Sequence, residues 1–387
     1  MRSKRESPGR NGAPGTRRGT GKESGAKGTH RWLAALAVAL LAVGLAACGS
    51  STGNSSTAPA PANPSAPVSG TLRTFTYEDT IAPHLLDPFK EGNPKVSVKT
   101  ATFDSDSEAA AKLVGGFQAD VIEACADEIN PLAQRSLLRP LDPKGLPDFD
   151  QLAFHDAPGV TDESGQVLFV PVSAGPQGLI VNTEKVKDVP HSWKALFEPQ
   201  YKGEVAIEGD EALTPLGETA LAMGMTKPME LSPKQIGEVT DYLKEHKGQF
   251  RSYTESDSDT INLLKSGEVV LTDGGRGTAI AAQEAGVPVE WIAPEEGALS
   301  WICGLGIPAG SQNLEAAYKL INYYTTPEAQ AQSAREGYVV TNPKALPLVP
   351  KKWKESADPA SVKNAIPERE PPNFEEYVHA WQEVESE

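Results

Sequence analysis

The run at residues 32–47, WLAALAVALLAVGLAA, constrains this chain most, because it separates an address from a body that can fold. It carries no charge and falls short of the ~20 apolar residues that span a bilayer. Residues 1–31 before it hold nine Lys or Arg against two Asp or Glu, and the run ends in small residues. A basic head, an apolar stretch and a small-residue end follow the grammar of a signal peptide. The whole chain carries −16, so the head's +7 leaves −23 for everything from Cys48 onward. A body that acidic argues against a nucleic-acid binder, which needs surplus positive charge for phosphates. With 387 residues and 39% hydrophobic residues there is chain enough for two lobes with a core. A multispanning membrane protein, a collagen and a disulfide-dense miniprotein are excluded on the same grounds.

The run closes on Leu45-Ala46-Ala47-Cys48, followed by Gly49-Ser50, which resembles a bacterial lipobox. That resemblance implies cleavage before Cys48 and a diacylglycerol on its sulfur, so that 1–47 is a leader. The alternative is an uncleaved N-terminal anchor; both put the body outside the cytoplasm. Arg17-Arg18 lacks the bulky apolar residues that a twin-arginine signal wants, since Gly19-Thr20-Gly21 follows. Residues 48–70 are rich in Ser, Pro, Ala and Gly without periodicity, which describes a flexible tether. Gly49-Ser50-Ser51-Thr52-Gly53 matches the Gly-x-Ser-x-Gly hydrolase pattern, but a nucleophile elbow needs a strand before it and a helix after it. A tether supplies neither.

With Cys48 lipidated, Cys125 and Cys303 remain. An oxidising compartment favours pairing an even remainder, and closing so long a loop is worth roughly 5 kcal/mol on the chain-entropy account. Two separate buried thiols are the alternative. Their spacing is not a zinc pattern, and no CxxC occurs. No cofactor is expected.

From residue 71 onward, short apolar runs alternate with helical patterns, the signature of an α/β protein. Strands are predicted at 72–77, 96–102, 120–123, 167–172, 178–182, 203–208, 268–272, 291–293 and 301–307. Helices are predicted at 83–91, 105–114, 127–136, 193–197, 215–223, 233–247, 278–285, 314–324 and 327–336. Pro83 suits a first helical turn, Ser105 a cap, and Gly115-Gly116 a stop.

Several stretches, in order, resemble the extracellular solute-binding proteins of ABC importers, within them the spermidine/putrescine-binding group. They are SLLRPLD (136–142), GLIVNTEKV (178–186), SWKALFEPQYKGEVAI (192–207), LLKSGEVVLT (263–272), AAYKLINYYTTPEAQ (316–330) and REGYVVTNPKA (335–345). The resemblance implies a periplasmic-binding-protein-like fold: two α/β lobes with a ligand cleft and crossing hinge strands. One lobe is expected at 71–176 and 301–345, the other at 177–300 and 346–387. It further implies a lipid-anchored monomer that closes on a small organic solute and is then read by permease subunits with their ATPase. It places Cys125 just after a cleft-facing strand and Cys303 on a strand of the same lobe, where a bridge would brace the pocket floor.

Polyamine binders of this group grip ammonium groups with carboxylates and sandwich the methylene chain between rings, as cations favour both. Carried over by position, the match is partial. Trp301 keeps the aromatic of a Trp-x-Asp signature whose carboxylate is replaced by Cys303. Asp210 keeps an acidic position after KGEVAI, while Leu213 stands where a second acid is expected. Tyr77 substitutes for an aromatic near the N-terminus, flanked by Glu78 and Asp79, which a surface position would explain equally. Thr80 and Asp127 replace tyrosines, and Gly275 replaces a second tryptophan beside Arg276. A Gly-rich turn opening a helix, with an arginine, offers donors for a carboxylate or phosphate; a tight turn with a surface arginine is the alternative. The dinucleotide fingerprint fails, because Ile280 stands where a third glycine is needed.

The expected function is therefore an importer's binding protein, with a polyamine or other amine as ligand. A ligand bearing amine and carboxylate together would use Asp210 and Arg276. A secreted enzyme or a surface sensor are the competing classes, but the six histidines show no HExxH spacing and no strand–Ser–helix elbow occurs.

Overall fold

The computed structural model describes residues 58–61, 63–103, 105–127, 129–162 and 164–386. The apolar run, Cys48 and most of the tether, with the readings placed on them, lie outside the described residues. The first part of the chain supplies β1 (Gly70–Thr76), α1 (Pro83–Gly92), β2 (Val96–Thr102), α2 (Asp106–Val114), β3 (Val121–Cys125), α3 (Asn130–Ala133) and β4 (Leu138–Arg139). Next come β5 (Phe169–Asn182), β6 (Val205–Glu208), α4 (Leu213–Ala222), α5 (Pro233–Glu245), β7 (Phe250–Thr254), α6 (Asp257–Ser266), β8 (Leu271–Gly275), α7 (Arg276–Glu284) and β9 (Val289–Ile292). The chain ends with β10 (Leu299–Pro308), α8 (Leu314–Tyr324), α9 (Pro327–Ser333), β11 (Ile366–Pro367) and α10 (Phe374–Ser386).

Local chemistry sets the helix starts. Pro83 occupies the first turn of α1, where its missing N–H is no loss. Ser105 caps α2 by accepting the Glu108 N–H at 3.2 Å. Ser232 and Gln235 form a capping box on α5, and Ser256 accepts the Asp259 N–H at 3.2 Å to start α6.

The strands form one curled sheet in the order β2-β1-β3-β10-β5-β8-β6-β7, with β4 and β11 added to β10 and β9 to β5. β1 pairs parallel with β2 and β3, and β6 pairs parallel with β7 and β8. Two α/β lobes result, each with its own core. The first gathers Leu72, Phe75, Phe89, Ile122, Leu305 and Tyr318, and the second Leu179, Trp193, Val205, Leu216, Val239 and Tyr377, all fully buried.

β5 and β10 run through both cores. The first core takes Val170 and Ala174 of β5 with Leu305 of β10; the second takes Leu179 and Leu299. The two strands anticipated at 167–172 and 178–182 are thus one strand, buried along its whole length. Ser173-Ala174-Gly175-Pro176-Gln177 stays extended because β10 pairs with it from Cys303 to Leu299, and β8 takes over at Gln177. The register slips between Cys303 and Gly304; a Cβ at Gly304 would lie 2.2 Å from the Val170 carbonyl oxygen, so only glycine fits this bulge.

The sequence reading departs from the structure elsewhere. The helix expected at 127–136 shrinks to α3, and that at 327–336 stops at Ser333 before a 3-10 turn and Gly337 at φ +89°. β7, α6, β11 and α10 were not anticipated. Beyond α9, Val340, Ala345, Val349 and Ala357 pack with Ala331 of α9 and Ala334 of the 3-10 turn that follows it, and Val362 joins the first core. From Ile366 the chain packs against the second core. Among the described residues no helix is long and apolar enough to cross a membrane.

Candidate functional site

Parallel strands aim their carboxyl ends at the crevice between the lobes, the usual place for a ligand in an α/β protein. Here the residues at those ends are acids. β1 leads into Tyr77, Glu78 and Asp79; β3 carries Glu123 and is followed by Asp127. From the other lobe, β6 ends on Glu208 and is followed by Asp210 and Glu211, and β7 leads into Glu255 and Asp257. Glu368 follows β11, the third passage between the cores. All ten of these carboxylates line one cleft of about 650 Å³, and among the described residues no Lys, Arg or His lines it.

Rings supply the apolar wall. Trp301 of β10 meets Tyr338 edge to face at 5.4 Å between centroids. Opposite Trp301 in the ladder stands Gly175, where a Cβ would come within 2.6 Å of the indole. The Val339 N–H donates to the Ala174 carbonyl at 2.8 Å, which fixes Tyr338 beside it. Tyr77 packs on Phe103 at 4.7 Å, and its hydroxyl donates to Asp106 at 3.4 Å. Cys125 and Cys303 face each other across β3 and β10 and are joined by a disulfide in the cleft wall.

The acids are held mainly by neutral donors. Asp79 accepts the Thr80 N–H at 2.9 Å, Glu123 the Tyr77 N–H at 3.2 Å, and Glu368 the Thr214 hydroxyl at 2.8 Å. Glu208 accepts from the Gln177 amide, and Asp257 from the Thr278 hydroxyl. Burial pushes Asp79 up to about 7, helped by the charge of Asp257 from the other lobe. Burial lifts Glu368 to about 8, with Asp127 adding across the cleft. Glu123 and Glu208 also stand well above the usual carboxylate range, first through loss of hydration and then through neighbouring acids. Asp257 keeps solvent-accessible surface at the cleft mouth, yet lost hydration raises it too. Such a cleft is short of positive charge: each carboxylate gains if a cation enters.

Among the residues anticipated from sequence, the structure brings Tyr77, Glu78, Asp79, Asp127, Asp210, Gly275 and Trp301 to this cleft. Arg276 does not join them. Its Nε donates to the Gly337 carbonyl at 3.3 Å, Nη2 donates to the Ser356 carbonyl, and the guanidinium lies 5.7 Å from the Trp291 ring centroid. The neighbouring Thr278 hydroxyl is spent on Asp257. The anticipated anion site of Gly275 and Arg276 is therefore not formed, because carbonyls of another segment already use the arginine's donors. Sequence reasoning missed Glu123, Glu208, Asp257, Glu368 and Tyr338. A charge in the middle of the apolar strand Val-Ile-Glu-Ala-Cys was the available signal for Glu123; nothing local marked Glu368. Among the described residues no group of three or more His, Cys, Asp or Glu is arranged to hold a metal ion.

Residues 84–361 match the family of bacterial extracellular solute-binding proteins. The spermidine/putrescine-binding periplasmic protein of Escherichia coli (strain K12) is 27% identical over 315 residues, covering 78% of this chain and 84% of that protein. A spermidine/putrescine ABC transporter substrate-binding protein of Streptococcus pneumoniae superposes with a TM-score of 0.67 at 23% identity, over 82% of this chain and 98% of that one. The A. tumefaciens protein MotA, solved with glucopine, superposes with a TM-score of 0.69 at 18% identity, over 82% and 98%. At those identities the two structures speak for the fold alone.

Proposed function

The chain belongs to the family of bacterial extracellular solute-binding proteins, and from that premise we propose that it serves an ABC importer as the receptor for a small organic amine with more than one positive charge. The observation that carries this reading is the lining of the cleft, which among the described residues has ten carboxylates and no basic residue. Ammonium groups offer several charged donors to these acids, and such charge-assisted bonds are about twice as strong as neutral ones. Trp301, Tyr338 and Tyr77 provide ring faces and edges for the methylene segments between the charges. The E. coli relative, named for spermidine and putrescine, supports the same chemistry.

The closing mechanism follows from charge. In the empty cleft Asp79 repels Asp257, and Asp127 repels Glu368. A polyamine placed between them replaces repulsion with attraction to both lobes. Because those contacts need both walls, the ligand binds the closed form preferentially and shifts the lobes toward it. β5, β10 and the passage at Ile366 act as the hinge, and a permease reads the closed shape. Cys48 carries the lipid that holds this receptor at the outer face of the cell membrane, tethered by residues 49–70. The protein delivers its ligand unchanged; a ligand carrying a carboxylate would set a negative charge among acids.

Thermal shift and isothermal titration against putrescine, spermidine, glutamate and succinate test the reading. Putrescine or spermidine is expected to stabilise the protein by about 2.7 kcal/mol at a hundredfold excess over Kd. Stabilisation by glutamate or succinate, with none by the amines, would overturn it.

A further inference from the structure

Behind Glu208 lies a second pair of acids that the ligand does not touch. Every residue of α4 is buried, and among them Glu218 is 0% exposed. Neither of its carboxyl oxygens finds a nitrogen or hydroxyl donor. Its neighbour is Asp273 of β8, also 0% exposed. Asp273 accepts the Glu208 N–H with both oxygens, at 2.9 and 3.1 Å, and the Thr272 hydroxyl at 3.2 Å. The charged groups that act on Glu218 are Asp273, Glu208 and Glu368; Asp210 and Asp257 act further on Glu208. All are acids. α5 and α10, which pack on α4, contribute Val239, Leu243 and Val384 to the shared apolar core.

Two carboxyl groups side by side, without water or a cation, cannot both be ionised. One proton must stay between them. Asp273 is the member already taking donors, so it is the anion, and Glu218 is the acid whose O–H donates to it. We propose, building on the amine-receptor reading, that the protonated Glu218 is a positioning residue: it holds Asp273 on the Glu208 backbone and so presents the Glu208 carboxylate to a ligand's ammonium group.

Glu218 then acts as a donor and not as a charge. Its place outside the cleft lining sets it apart from the cleft acids, which lose protons when a cation enters. Glu218 is expected to stay neutral in both states. An amide keeps the donor, so Glu218→Gln preserves the support; a leucine fills the space but leaves Asp273 without it.

The experiment measures putrescine affinity by titration calorimetry for the wild-type chain, E218Q and E218L from pH 6 to 8.5. Alongside it, difference infrared spectra read the carbonyl band of neutral carboxylic acids with and without saturating putrescine. E218Q is expected to bind like wild type across the pH range, and E218L about tenfold more weakly, as for a buried acceptor losing its donor. The wild-type band should survive saturation with putrescine in part, and E218Q should lack that surviving part. Wild-type affinity in E218L, an equal loss in E218Q, or an unchanged band in E218Q would each overturn the assignment. If E218L does not fold, the affinity and infrared results for E218Q decide. Absence of putrescine binding by the wild-type chain would sink the amine reading alone, since ligand-free spectra of wild type and E218Q still test the shared proton.

Discussion

The two ends of the first lobe's sheet both bury acids, and they treat them in opposite ways. At the end away from the cleft, Asp120 is 1% exposed and saturated by its own chain. It accepts the Arg73 N–H at 2.9 Å and the Arg73 guanidinium at 3.3 Å. It also takes the Gln312 and Asn313 N–H groups at 2.8 and 3.1 Å and the Ser311 hydroxyl at 3.3 Å. At the cleft end, Glu123 is 2% exposed and has neutral donors, the Tyr77 N–H and the Thr80 side chain, beside neighbouring acids. A structural acid is completed by the fold, whereas a binding acid is left incomplete at the fold's expense. That difference supports the proposed reading of the cleft acids as ligand contacts more than their number does.

Removing Asp120 should give the largest effect. Asp120→Ala strips several donors of their shared acceptor, and breaking a buried ion pair costs about 3–5 kcal/mol. Urea denaturation should show that loss, with the putrescine affinity of the remaining folded protein nearly unchanged. Glu208→Gln should do the reverse. A charge-assisted bond is worth about 1.5–3 kcal/mol, so titration calorimetry should show putrescine binding weakened by one to two orders of magnitude while the melting temperature holds or rises. If Glu208→Gln instead destabilised the empty protein as Asp120→Ala does, the contrast would collapse.

Trp301→Ala should come next, with about 1–2 kcal/mol less binding energy for putrescine and spermidine alike, as for a ring wall facing a cation. The smallest effect is on pH. Asp79 sits near 7, Asp106 and Glu368 near 8 and Asp273 near 6, each raised first by burial. These folded values exceed the unfolded ones, so the folded state binds more protons between pH 5 and 8. The stability tied to these protons is complete below about pH 4 and is lost as pH rises through the folded values. Ligand-free protein should lose stability on going from pH 5 to 8, by at most about 1.4 kcal/mol per pH unit for each acid that only the folded state keeps protonated. Saturating putrescine should flatten or reverse that slope in thermal melts, because the ligand favours the ionised acids.

Much of the scaffold was legible in the chain. Pro83, Ser105 and the apolar runs placed β1, α1, β2 and α2 almost to the residue, since these elements rest on local chemistry. The failures cluster where long-range pairing decides. Ser173-Ala174-Gly175-Pro176-Gln177 reads as a turn, and only β10 and β8 on its flanks keep it extended. Arg276 reads as an anion-binding residue, and only the distant carbonyls of Gly337 and Ser356 claim it first.

By itself, then, the sequence determined the α/β class, the acidic body and the aromatic at Trp301, because charge, periodicity and caps act over a few residues. Tertiary structure alone decided that Glu123, Glu208, Asp257 and Glu368 meet in one cleft and that, among the described residues, no basic side chain lines it. These acids come from strand ends as far apart as β3 and β11. Their common environment, low in water and lacking a cation, exists only once the two cores have formed around the crossing strands.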